Sequence, residues 1–252
     1  MQKSTLLRRV NRLLVLTFSF EENFFLGAFF LLLRPYCTLS HGSFKVPKRW
    51  SRVHFYARFI NGRYETEERE LISRHLGAGD HVLELGACIG VVSCLIASKI
   101  KGGRQCSVEA NPHLLPYLRE NRQRNQADFE ILAGALSDKS EIKFHLNKNI
   151  VGASSIRETG NLCSVSGISP TSTEKNYGPF NALVADIEGG EYEFIQKHLS
   201  DFKNLKKIIV EFHPAILKEP LIKEAKSTLG KAGFERIDAI GDTEFWRKRG
   251  TD

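Results

Sequence analysis

The chain has 252 residues, 42% of them hydrophobic and 26% charged, so it can bury a full core without disulfides. Its five cysteines are odd in number and include no Cys-x-x-Cys pair, which predicts a reduced cytosolic protein and argues against a disulfide framework or a zinc site. The formal net charge is +7, but the basic residues are scattered and are not interleaved with exposed aromatic side chains, so we predict no specific nucleic-acid partner.

The first 48 residues are predicted to be an apolar and basic helical extension of a domain that occupies residues 49–252. Leu13–Leu33 contains two apolar runs, separated by a polar segment with Glu21 and Glu22. Two carboxylates near the middle of a membrane span would each cost about 2.5–3.5 kcal/mol. We therefore predict helices that pack on the domain as a cap, and peripheral membrane contact through residues 1–48 is the alternative.

Strand-like and helix-like segments alternate through the rest of the chain, which is typical of an α/β fold. In the first half we predict a helix at Thr66–Leu76, a strand at His81–Leu85, a helix at Val91–Ile100, a strand at Arg104–Glu109 and a helix from Pro112. Strands at Phe129–Ala133 and Glu141–Leu146 and a loop-rich stretch at 147–179 follow. In the second half we predict a strand at Ala182–Asp186, a helix through Tyr192 and Ile195, a strand at Lys207–Glu211 and a helix carrying Ile222 and Leu229.

The end of the chain distinguishes between two kinds of α/β sheet. Phe234–Ile240 and Thr243–Arg247 are strand-like runs joined by Gly241 and Asp242, and a two-residue Gly-Asp link is typical of a β-hairpin. A dinucleotide-binding sheet would instead end in further βα units. We therefore predict a Rossmann-like class I methyltransferase fold, with a mostly parallel seven-stranded sheet, a C-terminal antiparallel hairpin and helices on both faces.

The junction after the strand His81–Leu85 predicts a site for an adenosine-containing cofactor. The turn Gly-Ala-Cys-Ile-Gly at residues 86–90 follows, and glycine lets a ligand approach the backbone at the start of a helix. Glu109 ends the next strand about twenty residues further on, where a carboxylate can accept hydrogen bonds from ribose hydroxyls. The turn lacks the Gly-x-Gly-x-x-Gly pattern that binds a pyrophosphate, so a cofactor without phosphate fits better.

Acidic side chains and a histidine follow two later strands. Asp186 and Glu188 come after the strand that begins at Ala182, and His213 comes after Lys207–Glu211. Ligands of open α/β sheets bind beyond the carboxyl ends of the strands, so we predict that these three side chains are catalytic. Asp186 and Glu188 can orient a cofactor amine, accept a proton or hold a divalent ion, and histidine is a common general base. Structural roles are the alternative for Glu188 and His213, and we assign no metal.

The chain resembles the FkbM-type S-adenosylmethionine-dependent methyltransferases from about Gly62 to Trp246. The order and spacing of six motifs carry this resemblance. They are Gly-Arg-Tyr-Glu-Thr-Glu-Glu (62–68), Val-Leu-Glu-Leu-Gly-Ala-Cys-Ile-Gly (82–90), Val-Glu-Ala-Asn-Pro (108–112), Gly-Ala-Leu-Ser-Asp (134–138), Asp-Ile-Glu-Gly-Gly-Glu (186–191) and Val-Glu-Phe-His (210–213).

The resemblance implies methyl transfer from S-adenosylmethionine, usually to an oxygen of a sugar or another small molecule. It also implies a role for each matched position in holding the cofactor. The methionine part would be held by Glu84, Gly86 and Gly90, with Ala87 and Cys88 between them. The ribose would be held by Glu109 with Ala110 and Asn111, and the adenine would contact Ala135. Asp186 would lie at the methionine end, and Tyr64 and Glu65 would form part of a lid.

Two other functions remain as alternatives. A nicotinamide-dependent oxidoreductase would also use the glycine turn and Glu109, but the terminal hairpin and the missing phosphate glycines count against it. A non-catalytic membrane-associated module would explain the Phe-rich N-terminus, but the intact acidic positions count against it. The resemblance implies a small-molecule or glycan acceptor. We expect a cytoplasmic protein, membrane-associated if residues 1–48 bind a surface, and the sequence leaves the oligomeric state open.

Overall fold

A computed structural model of the protein describes residues 23–33, 36–47, 53, 56–146 and 161–251. The helices are α1 (Phe24–Leu33), α2 (Ala57–Ile60), α3 (Thr66–His75), α4 (Val91–Lys99), α5 (Leu115–Arg124), α6 (Pro170–Tyr177), α7 (Glu191–Lys197) and α8 (Glu219–Lys231), with a 3₁₀ turn at Leu199–Asp201. The strands are β1 (Tyr36–Leu39), β2 (Gly42–Lys45), β3 (His81–Leu85), β4 (Arg104–Glu109), β5 (Glu130–Ala133), β6 (Ala135–Leu136), β7 (Glu141–Leu146), β8 (Asn161–Ile168), β9 (Ala182–Ala185), β10 (Lys207–Glu211), β11 (Phe234–Ile240) and β12 (Thr243–Lys248).

The central sheet has seven strands in the order β11-β12-β10-β9-β3-β4-β5. The strands from β10 to β5 pair in parallel, whereas β12 is antiparallel to both β10 and β11. Gly241 and Asp242 form the link of the terminal hairpin, in which Ile240 pairs with Thr243. The antiparallel strand β12 lies between β11 and β10. This strand order confirms the predicted Rossmann-like class I methyltransferase fold.

Helices cover both faces of the sheet, which is why its central strands are continuous apolar runs. All four residues of β9 are buried, and successive side chains point to opposite faces. Leu183 packs into the apolar cluster that contains Leu229 of α8, whereas Val184 packs into the cluster that contains Ile72 of α3 and Ile96 of α4. The apolar core therefore packs on both faces of the strands whose carboxyl ends carry the candidate site.

The connection that follows α1 contains a β-hairpin of β1 and β2. Its backbone groups are bound at the C-terminal end of α5. The amide of Lys45 donates to Asn121 Oδ1 of the helix at 2.6 Å, and the amide of Ser43 donates to Oδ1 of Asn125, the residue after the helix, at 2.8 Å. These partners lie more than 70 residues away along the chain, so the local pattern does not reveal the hairpin.

The stretch predicted as loop-rich, residues 147–179, also contains regular structure. Residues 161–166 of β8 pair antiparallel with β7, and Gly167 and Ile168 pair in parallel with β6, so the three strands form a separate sheet. α6 follows at once, with Pro170 in its first turn and the side chain of Ser169 accepting a hydrogen bond from the amide of Ser172. Residues 147–160 lie outside the described part of the chain.

α1 is the described helix of the predicted N-terminal extension and covers the second of its two apolar runs. Phe30 is buried and stacks on Tyr56 and Phe59, with ring centroids 5.9 and 5.8 Å apart, whereas 68% of the surface of Phe25 is exposed. Within the described ranges, no helix combines the length and the hydropathy that a membrane crossing needs. The first apolar run lies outside these ranges, and the boundary at residue 48 stays a prediction.

Candidate active site

A cavity of about 570 Å³ opens at the carboxyl ends of β3, β4 and β9, a volume that suits a cofactor-sized ligand. In the fold, this is the edge where ligands of open α/β sheets bind. The cavity brings together eight of the predicted site residues, namely Glu65, Gly86, Cys88, Glu109, Ala110, Ala135, Asp186 and Glu188.

The first residue of the glycine turn, Gly86, cannot be replaced by a residue with a side chain unless the backbone shifts. Gly86 has a φ of +92°, and a Cβ built on it would lie 1.8 Å from the carbonyl oxygen of Asp186. Gly90, at the start of α4, has a φ of +85°, and its Cβ would lie 2.8 Å from Leu118 Cδ1. Gly90 and the buried Ala87 lie outside the cavity lining that the described residues form, so they shape the turn from behind.

Glu109 faces the cavity with its carboxylate held by two backbone amides. Cys88 N donates to Oε2 at 2.7 Å and Asn111 N donates to Oε1 at 2.6 Å. Burial raises the pKa of Glu109 to about 7, although both hydrogen bonds act in the opposite direction. Each oxygen keeps a second lone pair, so the carboxylate can accept further hydrogen bonds. The side chain of Asn111 accepts a hydrogen bond from the amide of His113 and so stabilises the turn. Asn111 is not part of the cavity lining that the described residues form.

Glu84 was predicted to contact the cofactor, but its side chain lies behind the glycine turn and is not part of the cavity lining that the described residues form. Its carboxylate is 2% exposed and accepts hydrogen bonds from Ser93 Oγ, Gln105 Nε2 and Ser107 Oγ. Burial raises the pKa of Glu84, and these three hydrogen bonds oppose that shift. Glu84 therefore ties β3 to β4 and α4 and fixes the junction from which the glycine turn departs.

The predicted lid residues differ in where they lie. Tyr64 is buried, stacks on Phe59 with ring centroids 4.4 Å apart, and places its hydroxyl 3.4 Å from Cys88 Sγ. Its ring lies outside the lining formed by the described residues, so it supports the turn from behind. Glu65 lines the cavity at the start of α3, with a φ of +50°. Burial, together with the charge of Asp186, raises the pKa of Glu65 well above its ordinary value.

The predicted catalytic residues form one cluster with two further carboxylates. His213 Nε2 lies 3.3 Å from Asp186 Oδ1, 3.9 Å from Glu188 Oε2 and 3.8 Å from Glu211 Oε1. On the other side of the ring, Nδ1 lies 3.0 Å from Glu191 Oε1. Burial of His213 disfavours its charged form, but Asp186 and Glu191 outweigh this effect and raise its pKa to about 11. His213 is therefore an imidazolium at neutral pH, which does not suit the predicted role of general base.

The sequence did not predict Glu191 as a site residue, and it did not predict the part of the cavity lining at and just before β7. Glu191 ends the Asp-Ile-Glu-Gly-Gly-Glu motif, and its place in the first turn of α7, two residues after Gly189, is a signal that was available. Lys139, Glu141 and Lys143 line the cavity from the start of β7. No local pattern links them to the site, because the position of β7 depends on its pairing with β8.

Residues 53–161 match the family model described as the TRM5/TYW2 methyltransferase domain. A curated relative, the ribosomal protein L11 methyltransferase of Thermus thermophilus, is 38% identical over 195 residues, which are 74% of this chain and 59% of the relative. The chain thus spans less than two thirds of the length of this relative.

Solved structures with a similar fold include two that contain a bound cofactor. TYW2 of M. jannaschii, in complex with AdoMet, is 15% identical, with 84% of this chain and 82% of that chain covered and a TM-score of 0.47. Fibrillarin of Aeropyrum pernix, with natively bound S-adenosyl-L-methionine, is 17% identical, with 68% and 66% covered and a TM-score of 0.44. These likenesses are distant, and the class I methyltransferase fold of this chain rests on its strand order.

The comparisons support one part of the sequence-based prediction and correct another. They support the class of S-adenosylmethionine-dependent methyltransferases through the match to the TRM5/TYW2 family model, and they do not support the FkbM type. The prediction of a small-molecule or glycan acceptor without a specific nucleic-acid partner is wrong. The curated relative is named for a ribosomal protein, which is a macromolecular acceptor.

Proposed function

We propose that the chain is an S-adenosylmethionine-dependent methyltransferase that acts on a macromolecule, RNA or protein. One observation carries the proposal. At the carboxyl ends of β3 and β4, a turn with no room for a side chain at Gly86 and the backbone-held carboxylate of Glu109 face one cavity. This is the arrangement that an adenosine-containing cofactor requires, and the sheet order is that of the methyltransferases.

The charges and sizes of the lining residues fit S-adenosylmethionine. Its sulfonium and ammonium groups are cationic, and the cavity wall carries the carboxylates of Glu65, Asp186 and Glu188. Glu109 would hold the ribose hydroxyls, and the small side chain of Ala135 leaves room for a flat base. When bound, the cofactor supplies a methyl group that is already activated. The motif resemblance to FkbM-type enzymes supports the same cofactor and is not extended to the acceptor.

The remaining chemical tasks are to position the acceptor and to take its proton. Asp186 and Glu188 line the cavity and are the proposed proton acceptors. Glu188 has a φ of +51°, a conformation that non-glycine residues rarely adopt and that clusters at functional sites. His213, as an imidazolium 3.3 Å from Asp186 Oδ1, is a positioning residue that holds this carboxylate at the cavity wall.

The acceptor is proposed from the curated relative and from the net charge of the chain. The relative is named for a ribosomal protein, which is a macromolecular acceptor. The chain has a net charge of +7, although the cavity lining itself carries more carboxylates than lysines. A net positive charge attracts phosphate-rich or acidic macromolecules.

Calorimetric titration of the full chain tests the cofactor. We expect S-adenosylhomocysteine to bind and NADH not to bind, and Glu109→Gln to weaken the binding while Glu130→Gln, at an exposed position of β5, leaves it unchanged. Binding of NADH alone would favour the oxidoreductase, and binding of neither ligand would favour the non-catalytic module.

Transfer of a labelled methyl group from S-adenosylmethionine into fractionated cell extract tests the acceptor. We expect label in the macromolecular fraction, released by ribonuclease if the acceptor is RNA and by protease if it is protein. Label that appears only in the small-molecule fraction would show that the macromolecular acceptor is wrong.

A further inference from the structure

The cluster beside the cavity has the composition of a cation site. Asp186, Glu191 and His213 each offer one ligand atom within 4.8 Å of the other two. They come from three separate places in the fold, namely the loop after β9, the first turn of α7 and the loop after β10. Carboxylate oxygen and imidazole nitrogen together suit divalent first-row metals.

Two carboxylate oxygens of this cluster are buried without a hydrogen bond from any described residue. The side chain of Glu191 is fully buried, and its Oε1 accepts from the amides of Ile187 and Gly189, each at 3.1 Å. Its Oε2 has no such partner, and neither has Asp186 Oδ1, although the latter makes an ion-pair contact with His213. Buried carboxylate oxygens are normally bonded, so Glu191 Oε2, and Asp186 Oδ1 once His213 has lost its proton, are open to a cationic ligand.

The proposed cofactor does not account for these oxygens. Asp186 lines the cavity, but Glu191 and His213 lie outside the lining that the described residues form. A sulfonium or ammonium group in the cavity would therefore meet Asp186 and would not reach Glu191. In the metal-free chain the protonated His213 balances part of the negative charge behind the wall, so a metal ion that binds here displaces that proton.

We propose that Asp186, Glu191 and His213 bind a divalent first-row metal ion at the wall of the cavity. The carboxylates of Glu188 and Glu211, 3.9 and 3.8 Å from His213 Nε2, are placed to supply further oxygens. The sequence had led us to assign no metal, because these residues meet only in the folded chain. The position next to the cavity suits an ion that binds the acceptor oxygen, a role that rests on the proposed methyl transfer.

Titration of the full chain with Mn²⁺, followed by electron paramagnetic resonance in the absence of cofactor, tests the site. We expect one bound ion per chain, and at least about tenfold weaker binding in Asp186→Asn and in His213→Gln. Glu219→Gln, at an exposed carboxylate of α8 outside the cluster, should bind Mn²⁺ as the unmodified chain does.

Asp186→Asn keeps the test decisive if His213→Gln does not fold. The side chain of Asp186 is 24% exposed, and asparagine has nearly the same size and shape, so we expect Asp186→Asn to fold. Absence of Mn²⁺ binding to the unmodified chain, or equal affinity in the folded variants, would overturn the metal site. Calorimetry with S-adenosylhomocysteine on the unmodified chain separates this failure from a failure of the proposed function.

Discussion

The carbonyl oxygen of Asp186 occupies the position that a side chain at Gly86 would need, 1.8 Å from the place of its Cβ. β3 and β9 are neighbours in the sheet, so their two terminal loops leave the same edge side by side. The glycine is therefore required by the backbone of the acidic loop, as well as by the approach of a ligand. This contact couples the proposed cofactor site to the proposed proton acceptor.

Replacement of Gly86 by alanine should damage both the stability and the binding of S-adenosylhomocysteine. The left-handed backbone alone costs about 1–3 kcal/mol for a non-glycine residue, and the overlap with Asp186 adds to it. Chemical unfolding and calorimetry measure the two effects. Gly79→Ala is the matched control, since Gly79 has a φ of +80° but open space around its Cβ. Equal losses in both variants would show that the contact with Asp186 is unimportant.

The affinity for S-adenosylhomocysteine should rise with pH as Glu109 ionises. The pKa of Glu109 in the fold is about 7, and only the carboxylate accepts hydrogen bonds with all its oxygens. Below the pKa, the affinity should fall by up to about tenfold per pH unit, and above it the affinity should level off. Calorimetry across this range checks the profile, and Glu109→Gln should flatten it.

The same carboxyl should make the fold less stable as the pH rises. Its pKa is higher in the fold than the ordinary value of 4.5, so the folded chain binds the proton more tightly than the unfolded chain. The contribution of Glu109 to stability is therefore fully present below about pH 4.5 and is lost as the pH rises through about 7. Unfolding free energies of the unmodified chain minus those of Glu109→Gln should show this fall, and a difference that is constant with pH would contradict it.

The parts of the fold that the sequence predicts are those set by local patterns. β3 has the predicted bounds because a buried apolar run lies between the turn residue Asp80 and Gly86. The terminal hairpin follows from Gly241 and Asp242. β8 was missed because its partner β7 lies across the stretch at 147–160, and pairing over such a distance leaves no periodic signal beyond the strand itself.

The candidate site divides in the same way. Gly86, Glu109 and Asp186 end buried strands, so the topology of the sheet predicts that they meet. The state of His213 was not predictable, because its charge depends on Asp186 and Glu191, which meet its two ring nitrogens only in the folded chain. The burial of Glu84 was not predictable either, because its partner Ser93 lies on the helix behind the turn.

The changed assignment of Glu84 can be tested by alanine substitution. Glu84→Ala removes the acceptor for Ser93, Ser107 and Gln105 in a buried region, so it should destabilise the fold by about 3–5 kcal/mol. The affinity of the folded fraction for S-adenosylhomocysteine should change little, because Glu84 lies behind the cavity. Unfolding curves and calorimetry at low temperature separate the two. Loss of binding in a variant of undiminished stability would restore the direct contact predicted from the sequence.

Packing of α1 on the domain predicts opposite outcomes for two phenylalanines of the same helix. Phe30→Ala should destabilise the fold by about 3–5 kcal/mol, because Phe30 is 1% exposed and fills the space between Tyr56 and Phe59. Phe25→Ala is the matched control and should stay within about 0.5 kcal/mol, since 68% of Phe25 is exposed. Urea unfolding followed by near-ultraviolet circular dichroism measures both. If Phe30→Ala is as stable as Phe25→Ala, α1 contributes nothing to the core, and the N-terminal segment is an independent attachment instead of a cap.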